Sequence, residues 1–140
     1  MRVLLASSML LLIAPFSLKS AELKVTVEQV ANRNGYILVA LCTPETFLRV
    51  GCPYTGRAPA VTGDTEVVVR DVAPGNYALQ AFHDENDNLD LDRNFWGMPQ
   101  EGMGFGNDAK MRFGPPHFGD AAINVPASGA TAFLRLHYYD

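Results

Sequence analysis

Three observations predict an all-β protein: a single antiparallel β-sandwich of about seven short strands, prealbumin- or immunoglobulin-like, with one long ordered loop rich in glycine and aromatic residues. Apolar and polar residues alternate with period two in several short runs, turn residues separate the runs, and no stretch sustains a helical period. The chain has 140 residues, room for one domain, and shows no internal repeat and no heptads.

The amino terminus takes the first twenty residues out of that domain. Arg2 supplies a positive region, Val3 to Phe16 is a mostly apolar run too short to span a bilayer, and Ser17 to Ala21 ends in small residues. Residues 1–20 are therefore expected to be a signal peptide cut after Ser20, with residues 21–140 exported to the periplasm or beyond the cell. A retained amino-terminal anchor is the alternative. Processing removes Arg2 and Lys19, so the mature chain is more acidic than the whole-chain charge of -4. With no cluster of Lys and Arg, nucleic acid is excluded as a partner. No membrane span is left after processing, and nothing in the pattern fixes an oligomeric state.

Glu22 to Val30 alternates, with Leu23, Val25 and Val27 on one face, as a half-buried strand does. Asn34-Gly35 then suggests a hairpin into Tyr36 to Leu41, a run apolar on both sides and so expected to be a central strand covered on two faces. From Thr43 to Gly63 the pattern is lost; Pro44, Pro53 and Pro59 exclude a long element, with room for one helical turn after Thr43. Cys42 and Cys52 are the only cysteines, and in an oxidising compartment they read as a disulfide closing that excursion. A cysteine metal site, the competing reading, lacks nearby histidines.

Thr65 to Val72 is β-branched and strand-like, and Ala73-Pro74-Gly75-Asn76 has the order of a type II turn. The next strand places Tyr77, Leu79 and Ala81 on one face and delivers His83 and Asp84 to the end of the sheet. Residues 95 to 119 hold too many glycines and prolines for a helix and too many aromatics for a disordered linker, so an ordered packed loop is expected. Ala121 to Val125 and Thr131 to Tyr139 close the fold as strands, with Leu134, Leu136 and Tyr138 inward.

The loop from His83 to Phe105 carries the candidate chemistry. Asp84, Asn86, Asn88, Asp90 and Asp92 alternate, a spacing that lets one turn direct successive oxygens at a hard cation, and Glu101 can fold back as a further carboxylate. Calcium is the cofactor this pattern suggests, with an affinity of roughly 0.1 to 1 mM. The loop departs from an EF-hand, because Leu89 stands where glycine is required and Phe95 where a bidentate Glu is required. The alternative is that these Asp and Asn residues form turns bonded to their own backbone.

Phe95, Trp96 and Phe105 offer a second site, an aromatic platform for a sugar ring or a peptide of the cell envelope, against the alternative that they cap the open end of the sandwich. Catalysis has little to build on. His83 alone of three histidines adjoins acidic groups, with Asp84 or Glu101 as its partner, and no nucleophile accompanies it. A non-enzymatic protein is the expectation, with a hydrolase using His83 as the unfavoured alternative.

His83-Asp84-Glu85-Asn86-Asp87-Asn88, Leu91-Asp92 and Gly97-Met98-Pro99-Gln100-Glu101-Gly102 with Gly104-Phe105 resemble the bacterial exported domain-of-unknown-function family 2141. So do the Pro-Gly-Asn-Tyr turn at Pro74 to Tyr77 and the Pro-Pro pair before an alanine-rich strand. The resemblance implies a β-sandwich and export, and implies no activity. The family pattern has glycine where this chain has Leu89. The loop is also similar to the calcium loops of surface-protein B-type repeat domains, which are sandwiches of prealbumin-like topology.

Overall fold

The computed structural model describes residues 11–15 and 20–139; most of the expected signal peptide lies outside the described residues. The strands are β1 (Ala21–Val30), β2 (Tyr36–Cys42), β3 (Tyr54–Pro59), β4 (Gly63–Val72), β5 (Gly75–Asp84), β6 (Met103–Phe105), β7 (Ala122–Val125) and β8 (Ala130–Arg135). A 3-10 turn at Gly106–Asp108 and one helical turn, α1 (Phe118–Ala121), are the described helical pieces. No described helix is long and apolar enough to cross a membrane.

The strands form two sheets, one ordered β4-β1-β8 and the other β3-β2-β5-β6, with β7 also paired to β5. Their inner faces meet in one core. Leu23, Val25 and Val27 of β1 oppose Ile37, Val39 and Leu41 of β2 and Leu79 of β5, all essentially without solvent contact. This is the outcome of strict alternation: a period-two strand buries every second side chain, and truncating one of these leucines to alanine costs about 3 kcal/mol.

The expected hairpin at Asn34-Gly35 and the expected type II turn at Ala73 to Asn76 are both corrected. β1 pairs with β4 and β8, while β2 pairs with β3 and β5, so the Asn34-Gly35 turn crosses from one sheet to the other. The crossing brings two apolar faces into opposition, where a hairpin would have set both on one side. Gly35 is needed there: its φ is +63°, and a β-carbon would collide with the Asp84 carbonyl oxygen. Pro74-Gly75 is likewise a crossing, from β4 to β5, and Gly75 is not among the residues with positive φ that a type II turn demands. Tyr77 pins it, its hydroxyl donating to the Ala73 carbonyl at 2.6 Å.

The expected all-antiparallel pairing is also corrected, because β8 runs parallel to β1 from Leu23↔Ala130 to Glu28↔Arg135. β7 belongs to the other sheet, so the Pro126–Gly129 turn carries the chain across the core, and β8 enters beside β1 in the same direction. Two strands went unread. β3 is an edge strand, which tolerates its glycine and terminal proline, and β6 is only three residues long.

The outer face of the five-stranded sheet is half covered. Cys42, Phe47, Ala78, Met103, Phe105 and Ala121 form a second apolar cluster there. The disulfide between Cys42 and Cys52 holds the 43–53 excursion onto it, closing a loop worth about 3 kcal/mol in the chain-entropy model. Thr43 accepts from the amides of Thr46 and Phe47, which makes the excursion's first turn.

Candidate binding loop

The loop joining β5 to β6 is built from its carboxylates inward. Asp84, fully buried at the end of β5, accepts the backbone N–H of Asn88 at 3.0 Å and of Leu89 at 2.9 Å. Glu101 accepts the N–H of Glu85 at 3.0 Å and of Asp92 at 3.2 Å. Two buried acids thus clamp the loop from both ends. Burial is the main influence pushing the Glu101 carboxyl above its ordinary value; its two amide bonds oppose that, and the negative charges of Asp92 and Asp84 add to it.

The six expected calcium ligands divide into groups. Asp84 and Glu101 face inward onto backbone donors. Asn86 and Asn88 donate their side-chain amides to Asp92, at 2.6 and 2.9 Å, on the exposed side. The Asn88 side-chain oxygen accepts the Asp90 N–H, an Asx turn, and the Asp90 side chain is exposed. The carboxylate oxygens of Asp84, Asp92 and Glu101 accept hydrogen bonds from protein donors in this arrangement. Among the described residues no group of three or more His, Cys, Asp or Glu is arranged to hold a metal ion.

Leu89 takes the left-handed conformation, φ 64°, that glycine supplies in loops of this kind. Its N–H is fixed by Asp84 and its side chain is 62% exposed. An apolar side chain in water on a strained backbone is the one feature of the loop base that its own hydrogen bonds do not explain.

The loop's tip is a small ordered turn. Arg93 and Pro99 form an isolated β-bridge, Asn94 donates its N–H to the Met98 carbonyl, and Gly97 donates to Asn94. The Asn94 side chain accepts from the amides of Trp96 and Met98, and Arg93 reaches the Gly97 carbonyl at 3.0 Å. On this fixed backbone Phe95 is 93% exposed and Trp96 83% exposed, their rings 5.4 Å apart and edge to face at 86°.

Phe105 does not join them. It is 2% exposed in β6, packed edge to face on Phe47 at 6.0 Å, so the expected three-ring platform is corrected to a two-ring tip. Phe105 is buried instead in the second apolar cluster, on the outer face of the five-stranded sheet. Pairing of β6 with β5 draws it in, because Phe105 lies opposite Gln80 on the covered face.

The histidines are structural in their contacts. His83 is fully buried; Nε2 lies 2.7 Å from the Asn34 carbonyl oxygen, which only accepts, so Nε2 carries the proton. Nδ1 lies 3.0 Å from the Tyr138 hydroxyl, which accepts the Ala31 N–H, and 3.6 Å from a Glu85 carboxylate oxygen. Burial pushes the Tyr138 phenol up. Neither ring nitrogen is left to face a substrate. His117 precedes α1, and His137 lies 3.3 Å from Asp108.

Fold and loop together define a two-sheet all-β domain that presents one rigid, partly apolar loop at the end of its larger sheet. The chain belongs to the bacterial family described as "Uncharacterized protein conserved in bacteria (DUF2141)", whose model matches residues 25–133. No curated protein and no solved structure matches it.

Proposed function

We propose that the protein is an exported, non-enzymatic binding module whose contact element is the 93–99 tip, and that its partner is a cell-envelope protein with an apolar pocket. The observation that carries this reading is the pair Phe95 and Trp96, nearly fully exposed on a backbone held by its own hydrogen bonds. Such a tip loses little freedom on binding, and exposed Trp and Phe carry a large share of interface energy. The rings stand edge to face, so they form a wedge that fills a pocket better than a flat platform that stacks on a sugar. The Cys42–Cys52 disulfide is compatible with an oxidising compartment.

The test is affinity capture from envelope extract with the wild-type chain and with Phe95→Ser/Trp96→Ser. Wild type should retain a defined protein that the double variant loses, and adding that purified protein should shield Trp96 from a soluble quencher. Equal capture by both chains would remove the reading, and shielding by isolated envelope glycan would replace the protein partner with a sugar.

A further inference from the structure

We propose that the uncovered part of the five-stranded sheet's outer face is a second site, a groove that binds a free single-chain acyl carboxylate. The alkyl body lies on Leu38, Ala40 and Phe82, and the carboxylate meets Arg57.

The strand registers build the floor. Arg57 of β3, Leu38 of β2 and Phe82 of β5 lie side by side in one row, and Thr55, Ala40 and Gln80 in the next. These six form two cross-strand rows about 10 Å wide, two strand spacings. Leu89 of the binding loop lines one side. The groove encloses about 610 Å3, and small-molecule sites run from roughly 300 to 1,000 Å3.

Two observations say that something apolar covers it. A sheet face turned to water alternates to polar residues, yet β2 places Leu38 and Ala40 outward, and its partner β5 adds Phe82. The second apolar cluster protects the Cys42 end of that face and reaches Ala40 and Phe82, which pack partly against it, but does not include Leu38. Independently, Leu89 holds an exposed apolar side chain at the groove's edge in a conformation that leucine adopts only at a cost.

Charge selects the head group. Arg57 is the one charged side chain among the described groove-lining residues. Its guanidinium lies 4.0 Å over the Tyr36 ring, a cation–π contact. Its counter-ion Asp87 stands 3.5 Å away with both side chains about half exposed, a weak pair that an incoming carboxylate can displace. A guanidinium at the end of an apolar trough matches a carboxylate that ends an alkyl chain. The occupant is thus an amphipathic anion. The site is separate from the aromatic tip and does not depend on that reading.

Decanoate below its micellar concentration is the probe, followed by methyl and amide NMR shifts on the full domain, with decanol and decyltrimethylammonium as neutral and cationic controls. Decanoate should bind saturably, shift Leu38, Ala40 and Leu89, and bind about tenfold more tightly than decanol, the effect of one charge-assisted contact. Arg57→Gln should erase that tenfold preference while leaving decanol unchanged, and Asp87→Asn should tighten decanoate. Phe95→Ser/Trp96→Ser should leave decanoate affinity as it is. Absence of saturable binding, shifts centred on the aromatic tip, or equal affinity for the cationic control would each overturn the proposal. So would an Arg57→Gln chain that still prefers the anion.

Discussion

The base and the tip of the β5–β6 loop are both ordered, but by opposite uses of their side chains. At the base, Asp84 and Glu101 turn inward and hold four backbone N–H groups between them. At the tip, Asn94 and Arg93 organise the turn and two aromatic rings are left in water. A side chain committed to its own backbone stabilises the fold and has little left for a ligand. One that the backbone supports without using is free to bind. Acidity therefore marks the architecture of this loop, and exposed apolar surface marks its proposed contact points.

The sharpest test of the contrast is Asp84→Ala. It leaves two amides without their charged acceptor in a buried site and should lower stability by about 3 kcal/mol, read as the midpoint of urea unfolding. A change of under 1 kcal/mol would mean that the carboxylate is not holding the loop. Next comes Glu101, through pH. Its folded-state pKa is raised, so its contribution is fully present below the unfolded value and is lost as pH rises through the folded one. Glu101→Gln should flatten that decline across the weakly acidic range, measured by melting at a series of pH values, and an unchanged slope would assign the decline to another group.

Smaller effects are expected where strain or exposure replaces bonding. Leu89→Gly should gain about 0.5 kcal/mol, because glycine relieves the left-handed strain and loses part of that gain through its freer unfolded chain. A loss of stability would show that the leucine side chain packs against the fold more than its exposure implies. At the tip, Phe95→Ser/Trp96→Ser should shift stability by less than about 0.5 kcal/mol; a larger loss would move these rings from contact surface to structure. Millimolar calcium should leave the melting temperature of the wild-type chain unchanged, since bound ligand raises it only where the native state offers a site.

Much of the fold was legible because alternation records burial directly. Leu23, Val25 and Val27 on one side of β1, and Tyr77, Leu79 and Ala81 on one side of β5, face the core as their spacing predicts. Sheet membership was not legible, because a turn such as Asn34-Gly35 serves a hairpin and a crossing equally well. What decides is which apolar face each strand must oppose. β3 was hidden by Gly56 and Pro59, which an edge strand tolerates and a central one does not.

The site was legible as a stretch and not as a set of contacts. Spacing brought Asp84 to Asp92 to notice, but whether oxygens meet a cation or their own amides depends on where the backbone turns, and Leu89 at positive φ sets that turn. Phe105 could not be separated from Phe95 and Trp96 by residue type, since all three are aromatic and lie in one glycine-rich run. The groove had left a trace in β2, whose apolar residues face both ways. That pattern announced cover on two faces, and the fold supplies it on one and a half.

The parallel contact between β1 and β8 has a consequence for how the molecule is completed. The first strand lies mid-sheet, and one of its flanks is filled only by residues 130–135. Any chain lacking its last ten residues therefore holds a three-stranded layer reduced to a pair, with an open flank suited to recruiting a neighbouring chain. Contacts spanning the whole sequence also slow the search for the native state. Closure of this layer thus waits for residues 130–135, and until they are in place one flank of β1 stays open.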